Sequence, residues 1–492
     1  MKHFLLAVAY GLLGSAIVLV ASYVVMHERR PDLKIWHLAD LDTEFQAEQA
    51  AEISTLDAYL ELENLLFEQL EEQVYARIED SDRRLINRYS SGSLMDATAY
   101  PRNWNRTFEL HQPEASAGIV LLHGLSDSPY SMRTLGQQLH DSGFHVVGLR
   151  IPGHGTAPSA LLTVKWQDFT AAVRLAVMHV KGSIGPDKPL YIVGYSNGAA
   201  LAVEYSLAVL EGEDLPAADG LVLLSPAIGV SPVAALAIWQ ARFSSVTGLK
   251  KLAWNSITPE FDPYKYNSFP VNAGDQIYQL TQNIARRISR LSGPDGVRGF
   301  PRTLAFQSVV DATVPPAIII DALLMKLAPE GHQLVLFDVN RRAEAEPLLK
   351  SDPETLTKRL FAEESLPFDL TLVTNASVNS DAIVARRKPA LAQQSQDLSL
   401  DMSWPQGLFS LSHLSIPFAP DDPVYGNQSN DPGDETISLG SVVIRGERNL
   451  LQIPDSFFLR LRYNPFFPYL SQRMTAFFEA GVDAENENLP SP

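Results

Sequence analysis

The 492-residue chain is 46% hydrophobic and 20% charged, a globular composition with room for one large domain carrying insertions, or for two domains. Its formal net charge of −18 excludes the basic face that nucleic-acid binding requires, so no nucleic-acid partner is expected. It has no cysteine, which excludes disulfides, thiol catalysis, cysteine–zinc sites and a lipidated cysteine anchor.

In chain order, the first feature is an uncharged apolar run from Phe4 to Met26. At about 1.5 Å per residue it is long enough for a hydrocarbon core of about 30 Å, and its best small-residue cleavage candidate, Val20-x-Ser22, lies inside the run rather than after it. The expectation is a single-pass N-terminal transmembrane helix over residues 1–27 that attaches the chain to a membrane, a cleaved signal being the alternative. Arg29, Arg30 and Lys34 follow the span and favour a cytoplasmic C-terminal side. The missing cysteines and the exporting habit of N-terminal anchors favour the other side. The expected location is therefore extracytoplasmic (periplasmic), with the cytoplasmic face or secretion after cleavage as alternatives.

Thr43 and Gln46 have capping-box spacing and open a segment predicted to be one long helix to about Asp80. Its apolar residues, among them Leu56, Leu60, Phe67 and Leu70, fall near heptad intervals, with Glu63 interrupting them. Residues 28–95 read as a helical stalk packed on the next domain, a self-associating coiled coil being the alternative.

From about Asn105 the pattern alternates strands and helices, which predicts an α/β fold with a mostly parallel sheet and helices on both faces. Strands are predicted at 107–111, 118–123, 145–150, 190–195, 221–224, 303–309, 333–337 and 370–373. One of them, Leu190–Tyr195, runs into Gly194-Tyr195-Ser196-Asn197-Gly198 and then a helical pattern. A turn this tight crowds the positions two before and two after the serine, so only glycine fits there. It also aims the amides of the next helix at charge developing beside the Ser196 hydroxyl.

Between 231 and 291 the alternation lapses into an apolar and aromatic stretch (Trp239, Phe243, Trp254, Phe261, Tyr264, Tyr266, Phe269), read as a helical insertion. Residues 340–412 read as a second, irregular excursion, and 483–492 as a loose acidic tail.

Two further motifs carry a resemblance. Gly118–Met132 (GIVLLHGLSDSPYSM) is a strand ending in His-Gly, and Leu149–Pro158 (LRIPGHGTAP) has Pro-Gly-His-Gly after a strand. Together with the G-x-S-x-G turn these resemble the α/β-hydrolase superfamily, in its monoacylglycerol lipase and carboxylesterase-like branch, over about residues 105–315. The resemblance implies a hydrolase domain at 96–482 with a cap at about 229–300 and an irregular insertion at about 340–405. It makes Ser196 the nucleophile and assigns the oxyanion hole to the backbone N–H groups of Leu125, after His-Gly, and Asn197, after the serine. His123 is then a structural ring holding its loop.

The fold's order of serine, acid, histidine leaves only His332 and His413 for the base. His332 precedes a strand, at the end where catalytic groups do not gather; His413 lies in a loop beyond the strands and is preferred. Asp311, ending a strand before Val314-Pro315, matches the family's acid; Asp338, ending the next strand, is its rival. About a hundred residues separate acid and base where the family has about thirty. The expected function is a serine hydrolase of carboxylic esters, lipid-like ones included, needing no metal or organic cofactor. Amide or peptide hydrolysis of the aminopeptidase type and a catalytically inactive anchored scaffold are the alternatives.

Overall fold

A computed structural model describes residues 1–229, 250–344, 346–350, 352–427, 438–440 and 461–488. Its centre is a ten-stranded sheet. The strands before the predicted insertion are β1 (Phe108–Leu110), β2 (Gly118–Leu122), β3 (His145–Leu149), β4 (Leu190–Tyr195) and β5 (Gly220–Leu224). After it come a small antiparallel pair, β6 (Trp254–Ser256) with β7 (Phe269–Pro270), and then β8 (Arg302–Ser308), β9 (His332–Phe337) and β10 (Phe368–Asn375). Two strands fall inside the predicted irregular excursion, β11 (Ala382–Lys388) and β12 (Gln396–Ser403).

The order is β1-β3-β2-β4-β5-β8-β9-β10-β11-β12, and every neighbouring pair from β3 to β10 is parallel. β1 closes one edge antiparallel to β3, and β11 and β12 extend the other as antiparallel strands. The parallel strands β2, β3, β4 and β5 are buried from end to end, which is why they read as unbroken apolar runs rather than alternating ones. The excursion 340–412 is thus in part a sheet extension. Its strands escaped the sequence reading because β12, QDLSLDMS, is exposed along most of its length and carries the polar residues of an edge.

The N-terminal region differs from expectation twice. Residues 2–28 form helix α1 (Lys2–Glu28), but among the described residues no helix is long and apolar enough to cross a membrane. The single-pass anchor, and the extracytoplasmic location that rested on it, are therefore corrected.

The predicted stalk helix is also shorter and begins later. After a short helix α2 (Ile35–Leu38), helix α3 runs Leu56–Gln73, capped by Thr55, whose side chain accepts the Ala58 N–H. Leu56 and Tyr59 join Phe45 in the same buried core as β2, β3 and the helices behind them. Glu63 interrupts the apolar pattern for a reason: it is 3% exposed and bound to the buried Arg150.

Helices α4 (Arg133–Asp141), α5 (Trp166–Ile184) and α6 (Asn197–Leu210) cross between the strands. The expected cap divides in two. Residues 230–249, with Trp239 and Phe243, lie outside the described residues. The helix Val271–Leu291 packs behind the sheet, where Arg287 binds Glu204 of α6 at 3.3 Å and Glu211 and Glu213 beyond it. A closing helix, Phe467–Asn488, covers the other face and takes in much of the expected loose tail; residues 489–492 lie outside the described residues.

Candidate active site

The site forms where β4 meets α6. Ser196 sits between them with φ 53° and ψ −109°, a conformation that a residue with a side chain adopts only under surrounding constraint. The constraint is visible: the Ser196 N–H donates to Leu224 O at 2.9 Å, and its carbonyl accepts the Ala227 N–H at 3.1 Å. The flanking glycines have no room for more. A Cβ on Gly194 would stand 2.4 Å from Ala199 N, and one on Gly198 would stand 2.2 Å from Leu122 O.

His413 opens a short 3-10 turn, His413–Ser415, capped by the Ser412 side chain. Its Nε2 lies 3.1 Å from Ser196 Oγ and its Nδ1 lies 2.8 Å from Asp311 Oδ2. Asp311 follows the end of β8, and its other oxygen accepts the N–H groups of Thr313 at 2.9 Å and Val314 at 2.8 Å. Gln307 Nε2 adds a bond to Oδ2 at 2.8 Å. With four donors around it the carboxylate is fixed in place. Asp338 is held elsewhere, paired with Arg341 at 2.7 Å and accepting from Thr374 Oγ1 at 2.7 Å. His332 opens β9 at its amino end and is buried, its imidazole pushed down to about 4 by burial. Of the residues selected from sequence as nucleophile, base and acid, Ser196, His413 and Asp311 come together, and Asp338 and His332 do not.

Of the two amides expected to bind an oxyanion, that of Asn197 starts α6 and so has no intrahelical acceptor. That of Leu125 donates to no described group. His123 holds this loop: its Nδ1 meets Gly124 O at 2.9 Å, and its Nε2 accepts the Ile151 N–H at 3.0 Å. Burial drives its imidazole well below the ordinary value, in keeping with an uncharged ring that both donates and accepts.

Sequence reasoning missed the far wall of this loop. Lys265 Nζ binds Asp127 Oδ1 at 3.0 Å and Leu125 O at 3.5 Å, and the Tyr266 N–H donates to Ser126 O at 2.8 Å. Burial raises the Asp127 carboxyl, and the Lys265 ammonium opposes that rise. Tyr195, in the elbow itself, donates its hydroxyl proton to His413 O at 3.4 Å. Only the aromatic content of 254–269 hinted at the Lys265 wall. No spacing rule pairs positions about 140 apart.

Residues 113–317 match the family described as "Serine aminopeptidase, S33". Over this stretch, less than half of the chain, the sequence is similar to lipase- and esterase-like α/β-hydrolases of the monoacylglycerol lipase and carboxylesterase-like branch. A thermostable monoacylglycerol lipase of Bacillus sp. (strain H-257) is 23% identical over 199 residues, covering 40% of this chain and 72% of that protein. Phospholipase YtpA of Bacillus subtilis (strain 168) is 26% identical over 168 residues, 34% of this chain and 56% of that one. Among solved structures, a monoacylglycerol lipase of Paleococcus ferrophilus is 18% identical, with a TM-score of 0.37 over 47% of this chain and 88% of that one. The region before residue 113 and the strands after β8 lie outside the family match.

Proposed function

We propose that this chain hydrolyses carboxylic esters through an acyl-enzyme formed on Ser196. His413 Nε2 takes the Ser196 hydroxyl proton as Oγ attacks the acyl carbon; the same proton then passes to the departing alcohol oxygen. Water attacks the acyl-enzyme, again losing a proton to His413, and the carboxylic acid leaves as Ser196 is restored. Asp311 holds the imidazole with Nδ1–H toward itself and stabilises the imidazolium that forms in each half-reaction. The amides of Leu125 and Asn197 receive the negative charge on the acyl oxygen, worth several kcal/mol of the barrier.

The observation that carries this reading is the unbroken contact from Asp311 Oδ2 to His413 at 2.8 Å and from His413 to Ser196 Oγ at 3.1 Å. The names of the two Bacillus relatives favour acyl esters of glycerol or phospholipid type as the substrate class. The matched family's description gives the second reading, hydrolysis of aminoacyl amides by the same residues. Turnover by the full chain of p-nitrophenyl esters of graded length, set beside aminoacyl p-nitroanilides, separates the two. Ester turnover and fluorophosphonate labelling that both vanish in Ser196→Ala are expected; labelling that survives the substitution would overturn the mechanism.

A further inference from the structure

Apart from the hydrolytic site, a cavity of about 240 Å³ lies between α3 and the loop 152–156. One side is apolar, formed by Phe67, Leu70 and Tyr75. The other includes Arg88, Asn105 and Thr156.

Two polar groups in this wall are unsatisfied. Arg88 is 3% exposed, its Nη1 has no hydrogen-bond partner, and among the described residues no carboxylate pairs with it. The rings of Tyr89 and Tyr266 flank its guanidinium, each with its centre 5.4 Å away, and the buried Glu260 carboxylate, which accepts the Asn267 and Ser268 N–H groups, acts on it only through space. Asn105 is equally buried. Its Nδ2 donates to Pro263 O at 3.0 Å, which fixes the amide's orientation, and its Oδ1 is left without a donor. A buried guanidinium nitrogen without an acceptor and a buried carbonyl without a donor are both costly to leave unmet, so native chains rarely carry both at one place without a use.

We infer that the cavity binds a small organic carboxylate that also carries a hydroxyl or amino donor. Arg88 takes the carboxylate, for which its planar fork is shaped. Asn105 Oδ1 accepts from the ligand's donor, and the ligand's apolar body lies against Phe67, Leu70 and Tyr75. Glu68 and Glu71 of α3 stand at the cavity as well. They oppose an anion on approach, which gives the site a characteristic sign. This inference does not depend on the hydrolytic reading.

The test is calorimetric titration of the full chain, at constant ionic strength, with 3-phenyllactate, with 3-phenylpropionate, which lacks the hydroxyl, and with inorganic phosphate. Phenyllactate is expected to bind one-to-one and phenylpropionate about tenfold more weakly, the cost of leaving Asn105 Oδ1 unmet. Arg88→Met should abolish phenyllactate binding, and Glu71→Gln should tighten it by about twofold or more through lost repulsion. Because Arg88→Met removes a buried group on which folding also draws, Glu71→Trp, at an exposed position, supplies a second test by blocking the mouth. The inference is overturned if no carboxylate binds saturably, if phosphate alone binds, if the two phenyl acids bind equally, or if a folded Arg88→Met or Glu71→Trp keeps the affinity of the parent.

Discussion

The choice between Asp311 and Asp338 is the sharpest question at the scale of single residues. Both end parallel strands of the sheet and both are buried. Their partners divide the work: Asp311 faces His413, whereas Asp338 neutralises Arg341. Asp311→Asn is expected to lower kcat on a p-nitrophenyl ester by about 10⁴ with little loss of stability, because the amide favours the wrong imidazole tautomer. Asp338→Asn should do the reverse, leaving kcat per folded molecule near that of the parent while costing a few kcal/mol in urea unfolding. Equal losses of kcat in the two variants would remove Asp311 from its proposed role. A third substitution tests the turn itself. Gly198→Ala puts a methyl 2.2 Å from Leu122 O and His123 O only slightly farther, so either the elbow or the oxyanion loop must move. Its expected result is an enzyme that folds but loses at least about 10²-fold in kcat, the usual cost of a displaced oxyanion donor.

Between elements, the contacts that matter here are those no local pattern encodes. The strands β2 to β5 and β8 to β10 and the elbow were legible because a parallel sheet buried on both faces writes itself as short apolar runs, and a strand-to-helix turn demands glycine. The Ser196 and His413 positions followed from motif and chain order. Legibility failed where the side-chain pattern is set by distant partners. Glu63 looked like a break in a heptad and is a buried partner of Arg150; β12 looked like loop because it is exposed along most of its length. His37 is a similar case. It lies on α2, 2% exposed, and its Nδ1 accepts the Lys34 N–H at 3.0 Å. Its Nε2 therefore carries the proton and donates to Ser268 Oγ at 2.9 Å, which itself donates to Thr258 O. Burial, with Lys34 adding to it, pushes this imidazole down to about 4. The folded state thus refuses a proton that the unfolded chain accepts below about 6.5. The stability due to the neutral ring is complete above that value and is lost as pH falls towards 4. Within this window the parent should lose about 1.4 kcal/mol per pH unit more than His37→Gln, measured by urea unfolding. Parallel stability curves for the two proteins would sink this account of the α2 contact.

On the scale of the whole molecule, the question is whether the region before residue 95 is an appendage or part of the fold. Arg150 follows β3 at the mouth of the sheet and is 1% exposed. Its charge is met entirely from that region. Glu44 binds it through both oxygens at 2.9 Å, and Glu63 takes Nε at 2.9 Å. The same carboxylates organise the adjoining backbone: Glu44 accepts the Gly153 N–H at 2.7 Å, and Glu63 accepts from the Thr107 N–H and hydroxyl. Tyr59 OH closes the network on Arg150 O at 2.6 Å. Deleting residues 1–94 would strand a guanidinium in the core with neither partner, a loss of about 3–5 kcal/mol or more. It would also strip Phe45, Leu56 and Tyr59 from the core, each worth about 2 kcal/mol of burial. Against a total stability of about 5–15 kcal/mol for a domain, the sum is fatal. Residues 95–492 are therefore expected to be insoluble or to lack near-ultraviolet circular dichroism, whereas residues 33–492, which keep Glu44 and Glu63, should fold and retain ester turnover. Glu44→Gln in the full chain gives the intermediate case, a folded protein with a lowered urea midpoint. A soluble, active 95–492 fragment would show that the N-terminal region only decorates a hydrolase able to stand without it.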